Sequence, residues 1–493
     1  MAARSAGLLL HITSLPGRFP VGDLGPAADH FLEWAARAGQ KLWQILPVHP
    51  TGGEISPYGA RSAFAGNPLL ISPERVVEDG LCTVRDLEDS PSSSGGVAGF
   101  RAARDWKEKL LRRAWERFPA EGRLRSELAA FRESVSASVW LADWALFAAV
   151  KAMRGGSWTS WPRGLAHRDP AALAEARAAL AEEIAYQEFL QFLFFRQWSA
   201  VKKEAERLGI SVIGDVPIYV AHDSADVWSR RELFSLGDDG MPDFVAGVPP
   251  DAFTAAGQLW GYPLYRWDRI EQDGFSWWID RIRAARELFD AVRVDHFRAF
   301  AAYWAVPADA ADARAGEWRP APGSELWRAV RDAIGDLPVI AEDLGTITPD
   351  VEELRDSLEI PGMKVLQFAF SEDDGPHLPH RHVVRSVVYT GTHDNDTTRG
   401  WFAGVSLEER DRVRDYLGTN GHEIEWDLIR AAYASVSQRA VVPVQDVFSL
   451  GSAARMNHPG LAEGNWIWRA RQEDFTPERA ARLKRLAVLT GRT

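Results

Sequence analysis

The chain has 493 residues, and 57 Lys and Arg against 69 Asp and Glu give a formal net charge of −12, which excludes a simple basic nucleic-acid binder. Hydrophobic residues make up 46% and charged residues 26%, an ordinary globular mixture, and no apolar run approaches the roughly 18–20 residues that cross a bilayer. The short apolar stretch from Gly7 to Ile12 is too brief for a secretion signal, so a cytoplasmic, membrane-free protein is expected, and the lone Cys82 reads as a small buried hydrophobe.

In chain order, eight short apolar runs read as buried strands: Gly7 to His11, Leu42 to Pro47, Ile210 to Asp215, Phe289 to Asp295, Val339 to Glu342, Lys364 to Phe370, Val387 to Thr392 and Ala440 to Gln445. Helical patterns separate most of them. Strand and helix alternating in this way predict an α/β fold, a (β/α)8 TIM barrel whose parallel strands are covered on the outside. Each run ends in a polar or special residue, and the polar ones (His11, Asp215, Asp295, Glu342, His393 with Asp394, and Gln445) collect at the C-terminal ends of the strands, where such folds carry chemistry.

The spacing is uneven. One catalytic barrel spanning 1–493 is expected, with a mostly helical insertion at 70–208 between the second and third strands and a cleft-covering loop and helical insertion at 230–285 after the third. Within the first insertion, helices are predicted over Phe100 to Phe118, Leu124 to Val135 and Val139 to Met153, after a Pro/Ser/Gly linker at Ser90 to Gly96. A single long helix follows from Asp169 to Leu208, with Asp169 as N-cap, Pro170 in the first turn and Gly209 beyond the end. Tyr186, Phe189, Phe192, Phe194 and Phe195 recur on it at helical spacing and are read as core. The last helix starts at Thr476-Pro477-Glu478 and runs to Leu489. The 21 Trp, many beside Gly, Pro or charged residues, suit a surface on which the flat faces of sugars stack.

Three strand ends offer reactive groups. In Val292-Arg-Val-Asp-His-Phe-Arg298, alternation sends Arg293 and Asp295 to one face, and the cation favours the charged form of its neighbour, as a nucleophile at an anomeric carbon needs. In Val339-Ile-Ala-Glu-Asp-Leu-Gly345, a carboxyl among apolar residues holds its proton and suits a general acid. Alternation sends Glu342 and Asp343 to opposite faces, and position at the strand end favours Glu342. The third segment presents His393, Asp394 and Asp396; His393 and Asp394 could form a metal pair, but no further ligand at recognised spacing completes a set, so no metal is expected. Three carboxylates from separate strand ends fit glycosidic chemistry better.

These segments, with Ser56-Pro-Tyr-Gly59, Ser62-Ala-Phe-Ala-Gly-Asn-Pro-Leu69, Gly214-Asp-Val-Pro-Ile218, Ala246-Gly-Val-Pro-Pro-Asp251, Gly257-Gln-Leu-Trp-Gly261, Pro361 to Phe370, Gly391-Thr-His-Asp-Asn-Asp-Thr397 and Gly464-Asn-Trp466, resemble the 4-α-glucanotransferase (amylomaltase, or disproportionating enzyme) family of α-amylase-like barrel enzymes over nearly the whole chain. The resemblance implies Asp295 as nucleophile, Glu342 as acid/base and Asp394 as transition-state stabiliser. It also implies a substrate-binding set of Ser56, Tyr58, Asp215, Asp251, Gln258, Trp260, Arg293, His296, His393 and Asn465, with no cofactor. The implied reaction moves α-1,4-glucan segments from malto-oligosaccharides or starch- and glycogen-derived glucans to the 4-hydroxyl of another glucan or of glucose. It proceeds with retention through a covalent glycosyl-enzyme. The chain departs from the family pattern at Ala252, Tyr262 and Ala299. An α-glucan hydrolase of the same fold and a non-catalytic glucan-binding protein are the alternative readings.

Overall fold

Short runs with little polar side-chain surface satisfy their backbone groups by pairing on both sides, and a ring of such strands leaves no edge. The computed structural model describes residues 4–53, 55–92, 96–250, 255–336, 338–371, 375–461 and 463–493. Its strands are β1 (Ser5–Leu9), β2 (Leu42–Gln44), β3 (Ser211–Val216), β4 (Phe244–Val248), β5 (Gln258–Pro263), β6 (Ala291–Val294), β7 (Ala302–Pro307), β8 (Glu317–Pro320), β9 (Val339–Ala341), β10 (Gly362–Val365), β11 (Ser386–Tyr389) and β12 (Arg439–Pro443). Eight of them, in the order β1-β2-β3-β6-β9-β10-β11-β12, form a closed parallel barrel in which β12 pairs with β1. Each corresponds to one of the predicted runs.

The runs and the strands differ at their ends. Leu366–Phe368 is a turn of 3-10 helix that follows β10, and Gln445 lies in the short helix Val444–Val447 after β12 ends at Pro443. Hydrophobicity continues past both points because the turns are buried too, so composition does not mark where pairing stops.

Between β2 and β3 the chain forms the helices Phe100–Glu116, Arg123–Arg132, Val135–Ser138 and Leu141–Arg154. The predicted long helix is two, Pro170–Ala179 and Ala181–Arg207, separated at Leu180, whose φ of −111° and ψ of 19° leave the helical well. Asp169 caps the first by accepting from the backbone N–H of Ala171 and Ala172. The second buries Tyr186, Phe189, Phe192 and Phe194, with Phe195 packed at the margin, so this aromatic series is core. Two amides fasten this helix to the loop after β2. Gln191 pairs with both backbone groups of Gly66 at 2.7 and 3.0 Å, and Gln197 with both of Ser72 at 2.7 and 3.2 Å. A Cβ at Gly66 would lie 1.9 Å from the Phe194 ring, so only glycine lets loop and helix meet.

The stretch 230–285 holds helix Trp267–Gln272 and most of helix Ser276–Leu288, and also β4 and β5. These join β7 and β8, from beyond β6, in an antiparallel sheet of order β5-β4-β7-β8 that the sequence reading did not anticipate. Trp304 and Trp318 face each other across β7 and β8 with ring centroids 5.1 Å apart.

Candidate active site

Asp215 near the end of β3 and Arg293 near the end of β6 are direct neighbours in register, so their inward side chains meet. Arg293 Nη1 donates to both oxygens of Asp215 at 3.0 and 2.8 Å, while Nη2 reaches Asp295 Oδ1 at 2.8 Å. The guanidinium is 3% exposed and Asp215 is fully buried, whereas the Asp295 side chain is 27% exposed. One buried cation therefore fixes two carboxylates, and only Asp295 opens to the cleft. A planar fork suits this task; a lysine could not span both partners.

The next residue, His296, adopts a left-handed conformation (φ 51°, ψ 49°) immediately after the nucleophile candidate. That turn aims its backbone N–H at Glu342 Oε2, at 2.7 Å, and the N–H of Leu344 reaches Oε1 at 3.0 Å. Burial pushes the Glu342 carboxyl up to about 8, the charge of Asp295 pushes the same way, and Arg293 and the two N–H groups oppose. Glu342 thus holds a proton at neutral pH. Asp343 points to the opposite side, where Arg355 Nη1 at 2.5 Å and the N–H of Met363 at 2.6 Å take up its oxygens. A Cβ at Gly362 would sit 2.2 Å from Asp343 Oδ2, so the glycine of β10 makes room for this second, structural carboxylate. Of the two, Glu342 faces the Arg293–Asp295 pair and Asp343 faces away from it.

Beyond β11, His393 and Asp394 enter from the opposite wall. The Tyr58 hydroxyl donates to Asp215 Oδ2 at 3.0 Å and lies 2.9 Å from His393 Nε2, which is also 3.2 Å from Asp394 Oδ2. With acceptors on both sides, that nitrogen carries the ring proton. Burial lowers the His393 pKa, and His296 falls to about 4 for the same reason, so both rings are neutral. The Tyr58 and His393 rings stack at 5.4 Å, and Trp466 leans on both at 5.8 Å. Trp260 of β5 meets His296 edge to face at 4.8 Å and donates to Gln258 Oε1 at 3.1 Å.

Three predicted residues stand differently. Ser56 accepts from the N–H of Tyr58 at 3.3 Å and so shapes the turn that presents that ring. The Asn465 amide is engaged by backbone groups of His458 and Leu461, and it is the neighbouring Trp466 that reaches the Tyr58–His393 stack. Asp251, with Ala252 and Phe253, lies outside the described residues. The sequence reading missed Asn457 and Arg455, which hold Asp394 by its carboxylate and its carbonyl, each at 2.6 or 2.7 Å. Among the described residues no cluster of His, Cys, Asp or Glu has the arrangement of a metal site.

An acid that keeps its proton, next to a carboxylate pinned by a guanidinium and walled by rings, is what cleavage of a glycosidic bond demands; the class is that of carbohydrate-active (β/α)8 barrel enzymes. The profile of glycoside hydrolase family 77, 4-alpha-glucanotransferase, matches residues 10–474. The 4-alpha-glucanotransferase of Thermus thermophilus is 49% identical over 99% of both chains, and that of potato, described as chloroplastic/amyloplastic, is 48% identical over 94% of this chain and 82% of its own. The amylomaltase of Streptococcus agalactiae, solved with acarbose, superimposes with a TM-score of 0.96 at 37% identity over 99% of both chains. This chain belongs to the 4-alpha-glucanotransferase family, and it is an enzyme that transfers α-1,4-glucan segments between malto-oligosaccharides.

Proposed function

We propose that Asp295, Glu342 and Asp394 carry the transfer as nucleophile, acid/base and transition-state stabiliser. Asp295 bonds to the anomeric carbon as the glycosidic C–O bond breaks, and Glu342 gives its proton to the departing oxygen. The 4-hydroxyl of an acceptor then loses its proton to Glu342 and displaces Asp295, so the product keeps the α configuration. The observation that carries this reading is the contrast between the two neighbours: burial keeps Glu342 protonated, and Arg293 pins Asp295 at the cleft.

In this proposal Tyr58, Asp215, Arg293, His296 and His393 bound the donor sugar, and Gln258 and Trp260 of β5 face the acceptor. Ser56 and Asn465 serve the subsites by shaping the turns that present Tyr58 and Trp466. Asp251 is assigned to the acceptor side on the family resemblance of its sequence segment alone. Glucose and short glucans are the acceptors, protein carboxylates supply all the chemistry without a cofactor, and the enzyme works in the cytoplasm. Among the described residues no helix is long and apolar enough to cross a membrane.

The test is the product pattern from maltotriose. Transfer yields glucose and longer chains with no net gain of reducing ends; a rise in reducing ends that tracks maltotriose loss would replace transfer by hydrolysis.

A further inference from the structure

The Asp394 side chain is 42% exposed and sits on a strand-end turn, so it would sample several orientations if nothing held it. A carboxylate that supports charge in a transition state has to be held to within about half an ångström. His393 is a weak tether, because it is the adjacent residue and its Nε2 stands 3.2 Å from Oδ2. The stronger hold comes from the far side of the chain. Asn457 Nδ2 donates to Asp394 Oδ1 at 2.6 Å, and since a carboxylate only accepts, the amide nitrogen has to be the atom that faces it.

The support behind Asn457 is itself fixed. Arg455 Nη2 donates to the Asp394 carbonyl at 2.7 Å while its Nε donates to the Asn457 carbonyl at 2.7 Å, so one guanidinium ties the two turns together. Met456 between them is 6% exposed; its carbonyl accepts from the N–H of Trp466 at 2.7 Å, and Ser14 Oγ lies 3.8 Å from its sulfur. The same short segment thus connects Asp394 to the Trp466 ring that leans on Tyr58 and His393.

We infer that Asn457 is a positioning residue for Asp394: with Arg455 as its fastener, it fixes the carboxylate so that Oδ2 and the remaining lone pair of Oδ1 face the donor sugar. This rests on the reading of Asp394 as the transition-state stabiliser. The contribution therefore appears in turnover and not in ground-state binding.

The experiment compares Asn457→Ala, Asn457→Asp, Asp394→Asn and the double variant Asp394→Asn/Asn457→Ala by maltotriose disproportionation and by inhibition with acarbose, whose flattened first ring resembles an oxocarbenium ion. Asn457→Ala should lower kcat about 10- to 100-fold, the range for a lost hydrogen bond to a charged group. Its KM should stay within about twofold, and acarbose inhibition should weaken in step with kcat. Asn457→Asp keeps the shape but sets a second carboxylate against Oδ1, so it should lose more, with a wild-type melting profile; it carries the test if the alanine variant does not fold. The double variant should be no slower than Asp394→Asn alone, because a positioning residue has nothing left to position. Losses that multiply in the double variant, or a kcat for Asn457→Ala within about twofold of wild type, would overturn the inference while leaving Asp394 in place. Near-wild-type turnover of Asp394→Asn would overturn the assignment of Asp394 itself, and this inference with it.

Discussion

Replacing Glu342 by Gln should make the protein more stable relative to wild type as the pH rises. The folded environment moves this carboxyl from 4.5 to about 8. Between those values the folded state keeps a proton that the unfolded state has released, so the derivative of unfolding free energy with pH is negative over that window. The favourable contribution present below 4.5 is lost progressively until about pH 8, at roughly 1.4 kcal/mol per pH unit. Gln does not titrate, and it forfeits one of the two backbone hydrogen bonds that Glu342 accepts from His296 and Leu344. That loss, about 1 kcal/mol, is the same at every pH and cancels when two pH values are compared. From about pH 5.5 to about pH 7.5, the stability of Glu342→Gln relative to wild type should therefore rise by about 2–3 kcal/mol in denaturant titrations. In the wild-type enzyme the same group should give kcat/KM a basic limb near pH 8, because the acid needs its proton before the first step. A stability difference that is flat in pH would refute the claim that Glu342 is held neutral by burial, whatever the variant does to turnover.

Asp295→Asn should lower turnover by at least about a thousandfold with little change in melting, since the side chain is partly exposed and Arg293 keeps Asp215; initial rates on maltotriose together with thermal melts check this. Arg355→Ala should cost about 3–5 kcal/mol of stability by stranding the buried Asp343, yet leave turnover per folded molecule nearly unchanged, which separates the structural carboxylate from Glu342, the proposed acid. Trp260→Ala should raise the share of hydrolysis, because it removes a ring packed 4.8 Å from His296; the ratio of new reducing ends to transferred glucan measures it.

What could be read in advance followed the physics that each residue obeys. Buried parallel strands are continuous apolar runs, so all eight were visible, and alternation alone put Arg293 and Asp295 together. The β4, β5, β7 and β8 sheet left no such trace. Its strands are half-buried or, in β8, largely exposed; they are interrupted by Gly247 and Gly261 and ended by Pro263, Pro307 and Pro320, and β4 shifts register between Val245 and Gly247. The break at Leu180 falls in a run with no Gly or Pro, so nothing local announces it. Glu342 and Asp343 follow β9 and differ only in which of them turns toward Arg293, a fact of closure. Asn457 lies 63 residues from Asp394, after the last barrel strand, and an isolated Asn on a turn carries no periodicity.

The sheet that carries Trp260 grows out of the segment that follows Asp295. β6 ends, Asp295 and His296 turn, one 3-10 turn intervenes, and β7 begins; β4 pairs with β7, and β5 with β4. The position of Trp260 is thus levelled from β6 itself, while the connection across residues 249–257 joins two strands whose pairing is already fixed. Lengthening such a connection is cheap, about 0.6 kcal/mol for each doubling. On the proposed reading, in which β5 faces the acceptor, that stretch can change in length or sequence without moving β6 or the groups that follow it.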